Sequence, residues 1–305
     1  MIDLALLRNS KPFNKLLVFI LAFIAFLIIV PIFLMLVGMI LWGKDVATTG
    51  LANGSTPLSY HVFFQLFTQI GVFALGAWFF ARLNSNQGFH YLGLRKIKGF
   101  QFLIFPTIAI ILAIPLTSWL LQISMSFPIP DSMQSIIETM KQQETVGNNM
   151  MMKFLNVEGF GWLLFNVFFL ALVPAICEEL LFRGALMGVL SEIFKSKHMV
   201  VLLSAIVFSA IHLQFFSFLS RFGLGLILGY AYVYSGSIIP SIIAHFVNNA
   251  ISVIGYFYQT TYLGKKDLNE IGTTDNYWVL AITSFFAVLM ILLMRKKAIQ
   301  NESFI

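Results

Sequence analysis

Charge is scarce in this chain: Asp, Glu, Lys and Arg make up 10% of its 305 residues, where soluble domains carry about 25%. That shortage excludes a water-soluble globule. Cysteine is scarcer still, and the single Cys177 excludes both an intrachain disulfide framework and a cysteine-rich metal site. Internal repeats, low-complexity tracts and a linker that would separate a soluble domain are lacking too. What fills the chain is apolar: 59% of residues are hydrophobic, 33 are Phe, and the mean hydropathy is +0.87. The reading is an all-α, polytopic transmembrane helix bundle, a single integral membrane domain over 1–305, whose helices satisfy their own backbone groups in lipid. The formal charge of +6 calls for no nucleic acid, because Lys and Arg cluster between the apolar runs.

Membrane-length runs fall at 16–42, 60–82, 100–122, 160–182, 199–217, 219–235, 237–257 and 277–294, predicting about eight transmembrane helices. The first follows Arg8, Lys11 and Lys15 and is too long for a cleaved signal, so it is a retained span. The sixth is the weakest, its apolar part after Arg221 being short enough to suit a re-entrant segment. An N-in, C-in topology puts Arg8, Lys11, Lys15, Arg82, Arg95, Lys96, Lys98, Lys195, Lys197, Arg295, Lys296 and Lys297 in the cytoplasm. It leaves Lys44, Lys141, Lys153, Arg221, Lys265 and Lys266 outside, an excess that obeys the positive-inside rule and predicts a multi-pass protein of the cell membrane. The polar interval 124–158 predicts an interfacial helix, capped by Asp131 with Gln134 three residues on, with Met133, Ile136, Ile137 and Met140 as its apolar stripe.

Ionisable groups inside such runs cost about 2.5–3.5 kcal/mol each on insertion scales, so they face a bundle interior and act there. The fourth run ends in VPAICEELLFRG with Glu178, Glu179 and Arg183; the fifth carries His212 in FSAIH; the seventh carries His245, Asn248 and Asn249 in AHFVNN. Glu179 and Arg183, at i and i+4, have the order of a helical ion pair, while Glu178 is rotated by about 100° toward another neighbour. His245 and Asn249 share a face, as do Phe208 and His212. Pro174 removes a backbone bond to Leu170 and bends or opens the helix just before the acidic pair.

A carboxylate, two imidazoles and an amide in a dry cavity suit hydrolysis of an amide by water. The carboxylate takes a proton from water, and imidazole and amide N–H groups meet the oxyanion. The same Glu178, His212 and His245 are also N and O donors suited to zinc, which would polarise the water instead. A different class, a proton- or cation-coupled transporter, would place these groups in a relay and show inverted repeats or paired broken helices; the sequence shows neither. Cys177 reads as a small buried hydrophobe, and Gly225 and Gly229 as helix-packing positions rather than a phosphate loop. Depth is the difficulty: with helices starting at 237 and 199, His245 lies about 12 Å deep and His212 about 20 Å, so they meet only through tilt, a later start or a broken helix.

Taken together, EELLFR (Glu178, Glu179, Arg183), FSAIH (Phe208, His212) and HFVNN (His245, Asn249) resemble the CAAX prenyl protease and bacteriocin-processing family of intramembrane proteases, also called ABI or CPBP. Its EExxxR, FxxxH and HxxxN motifs appear in order over 173–249, and GLRK, Gly93–Lys96, is a weaker likeness. The resemblance implies catalytic core helices over 160–257 and an endopeptidase acting on hydrophobic or C-terminally lipidated peptides within membrane lipid. It implies that Glu178 and His212 activate water, that His245 and Asn249 stabilise the oxyanion, and that Glu179, Arg183 and Phe208 order the site. It favours no cofactor, with zinc held by Glu178, His212 and His245 as the metallo-type alternative; HExxH is absent. A catalytically silent membrane scaffold is the remaining alternative, since a fold can outlive its chemistry.

Overall fold

The computed structural model describes residues 5–49, 56–127, 132, 134–157, 159–264 and 271–301. Asp131, Met133, Lys265 and Lys266, expected as a cap, a stripe residue and two loop charges, lie outside them. Among the described residues the regular structure is all helix, joined by turns and short irregular segments, with no strand. The long elements are α1 Pro12–Trp42, α2 Leu58–Asn84, α3 Gln101–Ser126, α4 Gln134–Leu155, α5 Phe160–Ile193, α6 Lys197–Ala210, α7 Phe218–Ser235, α8 Ile239–Tyr262 and α9 Tyr277–Gln300.

Among the described residues, α1, α2, α3, α5, α8 and α9 are long and apolar enough to cross a membrane, so the chain is a multi-pass membrane protein. The fifth and sixth expected runs correspond to α6 and α7, which fall outside that set by length or hydropathy. Two expectations need correction. The run 199–217 is helical only to Ala210, because the backbone turns at Ile211 and His212 and enters the left-handed region at Leu213, with φ 52°. The fourth helix does not end at 182: α5 continues to Ile193, 34 residues in all. At 1.5 Å per residue it is about 50 Å long, more than the roughly 30 Å hydrocarbon core. The acidic motif therefore lies within the helix and not at its end.

The chain divides into two compact units, Met1–Leu94 with Val173–Lys195 and Arg95–Leu172 with Ser196–Ile305. In the first, α1 begins at Pro12, whose fixed φ and missing N–H suit a first helical turn. Lys15 of α1 ties itself to the last turn of α5, its Nζ lying 2.7 Å from Glu192 Oε2. Phe19 meets Phe80 edge-on at 5.2 Å between centroids, and Phe73 meets Phe182 at 6.3 Å. Gly184 lets α5 approach the backbone of Leu92, where an added Cβ would fall 2.8 Å from the carbonyl oxygen.

In the second unit, Ile110 of α3, Leu228 of α7 and Ala244 of α8 form a buried cluster. Gly225 and Gly229 pack against Ala205 and Val201 of α6 so closely that a Cβ would come within 3.0 Å and 2.8 Å of them, which is the small-residue packing expected. The polar interval 124–158 contains the helix α4. Of its described stripe Ile137 is buried and Ile136 half exposed, while Trp162 Nε1 and Asn166 Nδ2 both donate to the Phe154 carbonyl at its C-terminal end.

Candidate active site

The sequence-predicted site residues are divided between the units: Glu178, Glu179 and Arg183 belong to the first, and Phe208, His212, His245 and Asn249 to the second.

The acidic group sits on a helix that is widened twice. Pro174 offers no N–H, so the Leu170 carbonyl loses its α-helical partner, and the turn just before it, Val167–Leu172, is a π-helix. A second π turn, Leu180–Leu186, comes directly after the acidic pair. Such turns are rare and occur often at functional sites, because each rotates the side chains beyond it. Between them, Val173–Glu179 is α-helical and presents the two carboxylates in different directions. Glu179 Oε1 accepts from Arg183 Nη1 at 2.9 Å, and both side chains have 0% exposure. This is the i, i+4 pair expected. Glu178, 6% exposed, turns to another helix: Gln69 of α2 donates from Nε2 to Glu178 Oε1 at 3.4 Å. Gln69 itself opens a π turn, Gln69–Leu75. Cys177, beside Glu178, is buried.

The histidine group is built around one ring. Phe208, in the last turns of α6, is buried and lies edge-on to both imidazoles, 5.2 Å from His212 and 5.8 Å from His245 between centroids. His212 stands in the turn after Ala210, where the helix breaks, and both imidazoles reach the same Phe208 ring. Its Nδ1 lies 2.8 Å from the Phe208 carbonyl oxygen. A carbonyl only accepts, so Nδ1 carries the proton, and in the neutral ring Nε2 carries the lone pair. His245 is buried on α8. One turn on, Asn249 accepts through Oδ1 from Asn248 Nδ2 at 3.2 Å, which directs its own NH2 group elsewhere.

Three contributors lie beyond the expected set. Gln69 stands in an apolar run, where a census of costly polar groups finds it. Asn248 is visible in the seventh run, but no motif gives it a task. Glu144 of α4 has no sequence signal: its carboxylate accepts from Phe216 N at 3.3 Å and from Ser217 Oγ at 2.6 Å, holding the segment that comes after His212. Among the described residues, no group of three or more His, Cys, Asp or Glu is placed to hold a metal ion.

Comparison with known proteins is decisive on one point. Residues 160–251 match the family model of Rce1-like type II CAAX prenyl endopeptidases. The matched stretch contains all three motifs, so the resemblance read from them is borne out. No curated protein and no solved structure matches the chain.

Proposed function

We propose that the chain is an intramembrane endopeptidase of the cell membrane, N-in and C-in, that hydrolyses peptide bonds in hydrophobic or C-terminally lipidated, CAAX-like substrates. Residues 1–305 act as one membrane domain with a catalytic core at 160–257. The observation that carries the reading is the Phe208 ring shared by His212 and His245, with the His212 tautomer fixed so that Nε2 is the acceptor.

In this mechanism Glu178 takes a proton from water, His212 Nε2 orients that water, and the resulting hydroxide attacks the scissile carbonyl carbon. The carbonyl electron pair moves to oxygen, where His245 N–H and the Asn249 amide meet it. Collapse breaks the C–N bond, and the proton held by Glu178 passes to the leaving amine. Gln69 steadies Glu178 from the side, while the buried Glu179–Arg183 pair fixes the wall of the helix that bears it.

Purified protein assayed on farnesylated and unmodified hydrophobic peptides tests this. Glu178→Gln and His212→Ala should each lower kcat/KM by roughly a hundredfold to ten-thousandfold, and Asn249→Ala by about a hundredfold or more. Full activity in Glu178→Gln would overturn the mechanism, and one equivalent of tightly bound zinc would replace it with a metal-held water.

A further inference from the structure

Two asparagines stand side by side on α8, and only the second falls in a motif. Each residue of an α-helix turns the chain by about 100°, so Asn248 and Asn249 set out in different directions. Asn249 lies one turn after His245, the residue that meets the Phe208 ring. Asn248 lies between Ala244 and Ser252, each one turn away. Ala244 is buried with Ile110 of α3 and Leu228 of α7, and Asn248 and Ser252 line a cavity of about 190 Å³ to which α3 and α7 also contribute. Asn248 is thus rooted where α8 packs on its neighbours.

Its side chain nevertheless reaches across to the motif residue: Asn248 Nδ2 donates to Asn249 Oδ1 at 3.2 Å. The bond matters because a side-chain amide has two orientations of nearly the same shape, one presenting NH2 and the other the carbonyl oxygen. Only the first stabilises an oxyanion; the second sets oxygen against oxygen. A position on a helix does not choose between them, so a neighbour must. Asn248 supplies an N–H, and in the Asn249 amide only the oxygen accepts one. Asn248 is itself held from being turned over. Ser252 Oγ donates to its carbonyl at 3.3 Å. In the cavity wall, the hydroxyl protons of Thr117, Ser118 and Ser220 are committed to backbone carbonyls, which leaves their oxygens as acceptors. A wall of acceptors suits the second N–H of Asn248, directly or through water.

We infer that Asn248 is a positioning residue for the hydrolysis: it holds the Asn249 amide with its NH2 group toward the oxyanion and touches no reacting atom itself. The inference rests on the peptidase reading for the oxyanion, but the amide orientation is measurable without turnover.

The test compares full-length protein in detergent, on a farnesylated hydrophobic peptide, as wild type, Asn248→Ala, Asn248→Asp, Asn249→Ala and the two double variants. Asn248→Ala loses one neutral hydrogen bond and should lower kcat by about twofold to tenfold with KM unchanged. Asn248→Asp keeps the shape, but its carboxylate only accepts and so draws the Asn249 NH2 group to itself. Its kcat should fall by about a hundredfold, to the level of Asn249→Ala. In the Asn249→Ala background neither change should cost more than about twofold, because the residue it acts through is gone. A role in packing alone predicts the reverse order, truncation worse than isosteric exchange, and losses that persist without Asn249. In NMR spectra of protein carrying isotopically labelled asparagine, one Asn249 side-chain proton should move downfield in Asn248→Asp, where it meets a carboxylate, and not in Asn248→Ala. Should Asn248→Asp fail to fold, the alanine arm decides: equal losses with and without Asn249 overturn the inference. Asn248→Asp milder than Asn248→Ala overturns it too, as does an Asn249 proton that stays in place in Asn248→Asp. Wild-type turnover separates the two readings: the downfield proton in a protein that cleaves no peptide refutes the peptidase alone, and cleavage with additive losses refutes the role of Asn248 alone.

Discussion

Glu179 and Arg183 sit in a helix that is widened but never interrupted, whereas His212 stands just past the point where a helix stops. The acidic group keeps its backbone ladder, adjusted by π turns on either side, and holds two opposite charges away from solvent. The histidine group gives up the ladder at Ala210 and uses one aromatic ring and several side-chain bonds to hold the turn and the segment beyond it. Placing a charge pair in lipid needs continuous helix, because an unpaired backbone group there adds several kcal/mol to an already large desolvation cost. Placing one imidazole beside another on a shared ring needs a change of direction, and a turn supplies it.

Four measurements put this contrast at risk. The largest effect is expected at Arg183→Leu, which strands a buried carboxylate and should cost about 3–5 kcal/mol in reversible unfolding from detergent. Glu179→Leu combined with Arg183→Leu should recover most of it, and a double variant no better than the single would show that charge pairing is not what holds this helix. Next, Phe208→Ala removes the ring both histidines touch and should cost about 3 kcal/mol, with the chemical shifts of both imidazoles moving in NMR spectra. Smaller again, Glu144→Ala should cost about 1–2 kcal/mol through the lost bonds to Phe216 and Ser217, read as faster hydrogen exchange confined to 212–217. The smallest is Leu213→Gly. A non-glycine residue at positive φ is strained by roughly 1 kcal/mol, so glycine there should leave stability equal or slightly raised; a large loss would mean the Leu213 side chain, not its backbone, matters.

Much of the helical layout was legible because membrane spans depend on run length and composition, which sequence displays directly. The ion pair was legible for a similar reason, since four residues along a helix fix a neighbour. The helix end at Ala210 was not located because Ile211, Leu213, Phe215 and Phe216 are all apolar, and hydropathy does not distinguish an apolar turn from an apolar helix. The extension of α5 was missed where polarity returned before helicity ended. Gln69 beside Glu178 and Glu144 beside Ser217 are long-range pairings over 109 and 73 residues, which local periodicity does not encode.

The His212 ring takes its hydrogen-bond orientation from the carbonyl of residue 208, a peptide oxygen that every amino acid supplies equally. Its protonation pattern is therefore inherited from the main chain and insulated from side-chain drift. Phe208→Leu should alter how tightly the ring is packed while leaving the identity of its basic nitrogen unchanged. Where a side chain chooses a histidine's tautomer, evolution must keep the two residues in step; here the selector moves only if the fold itself does.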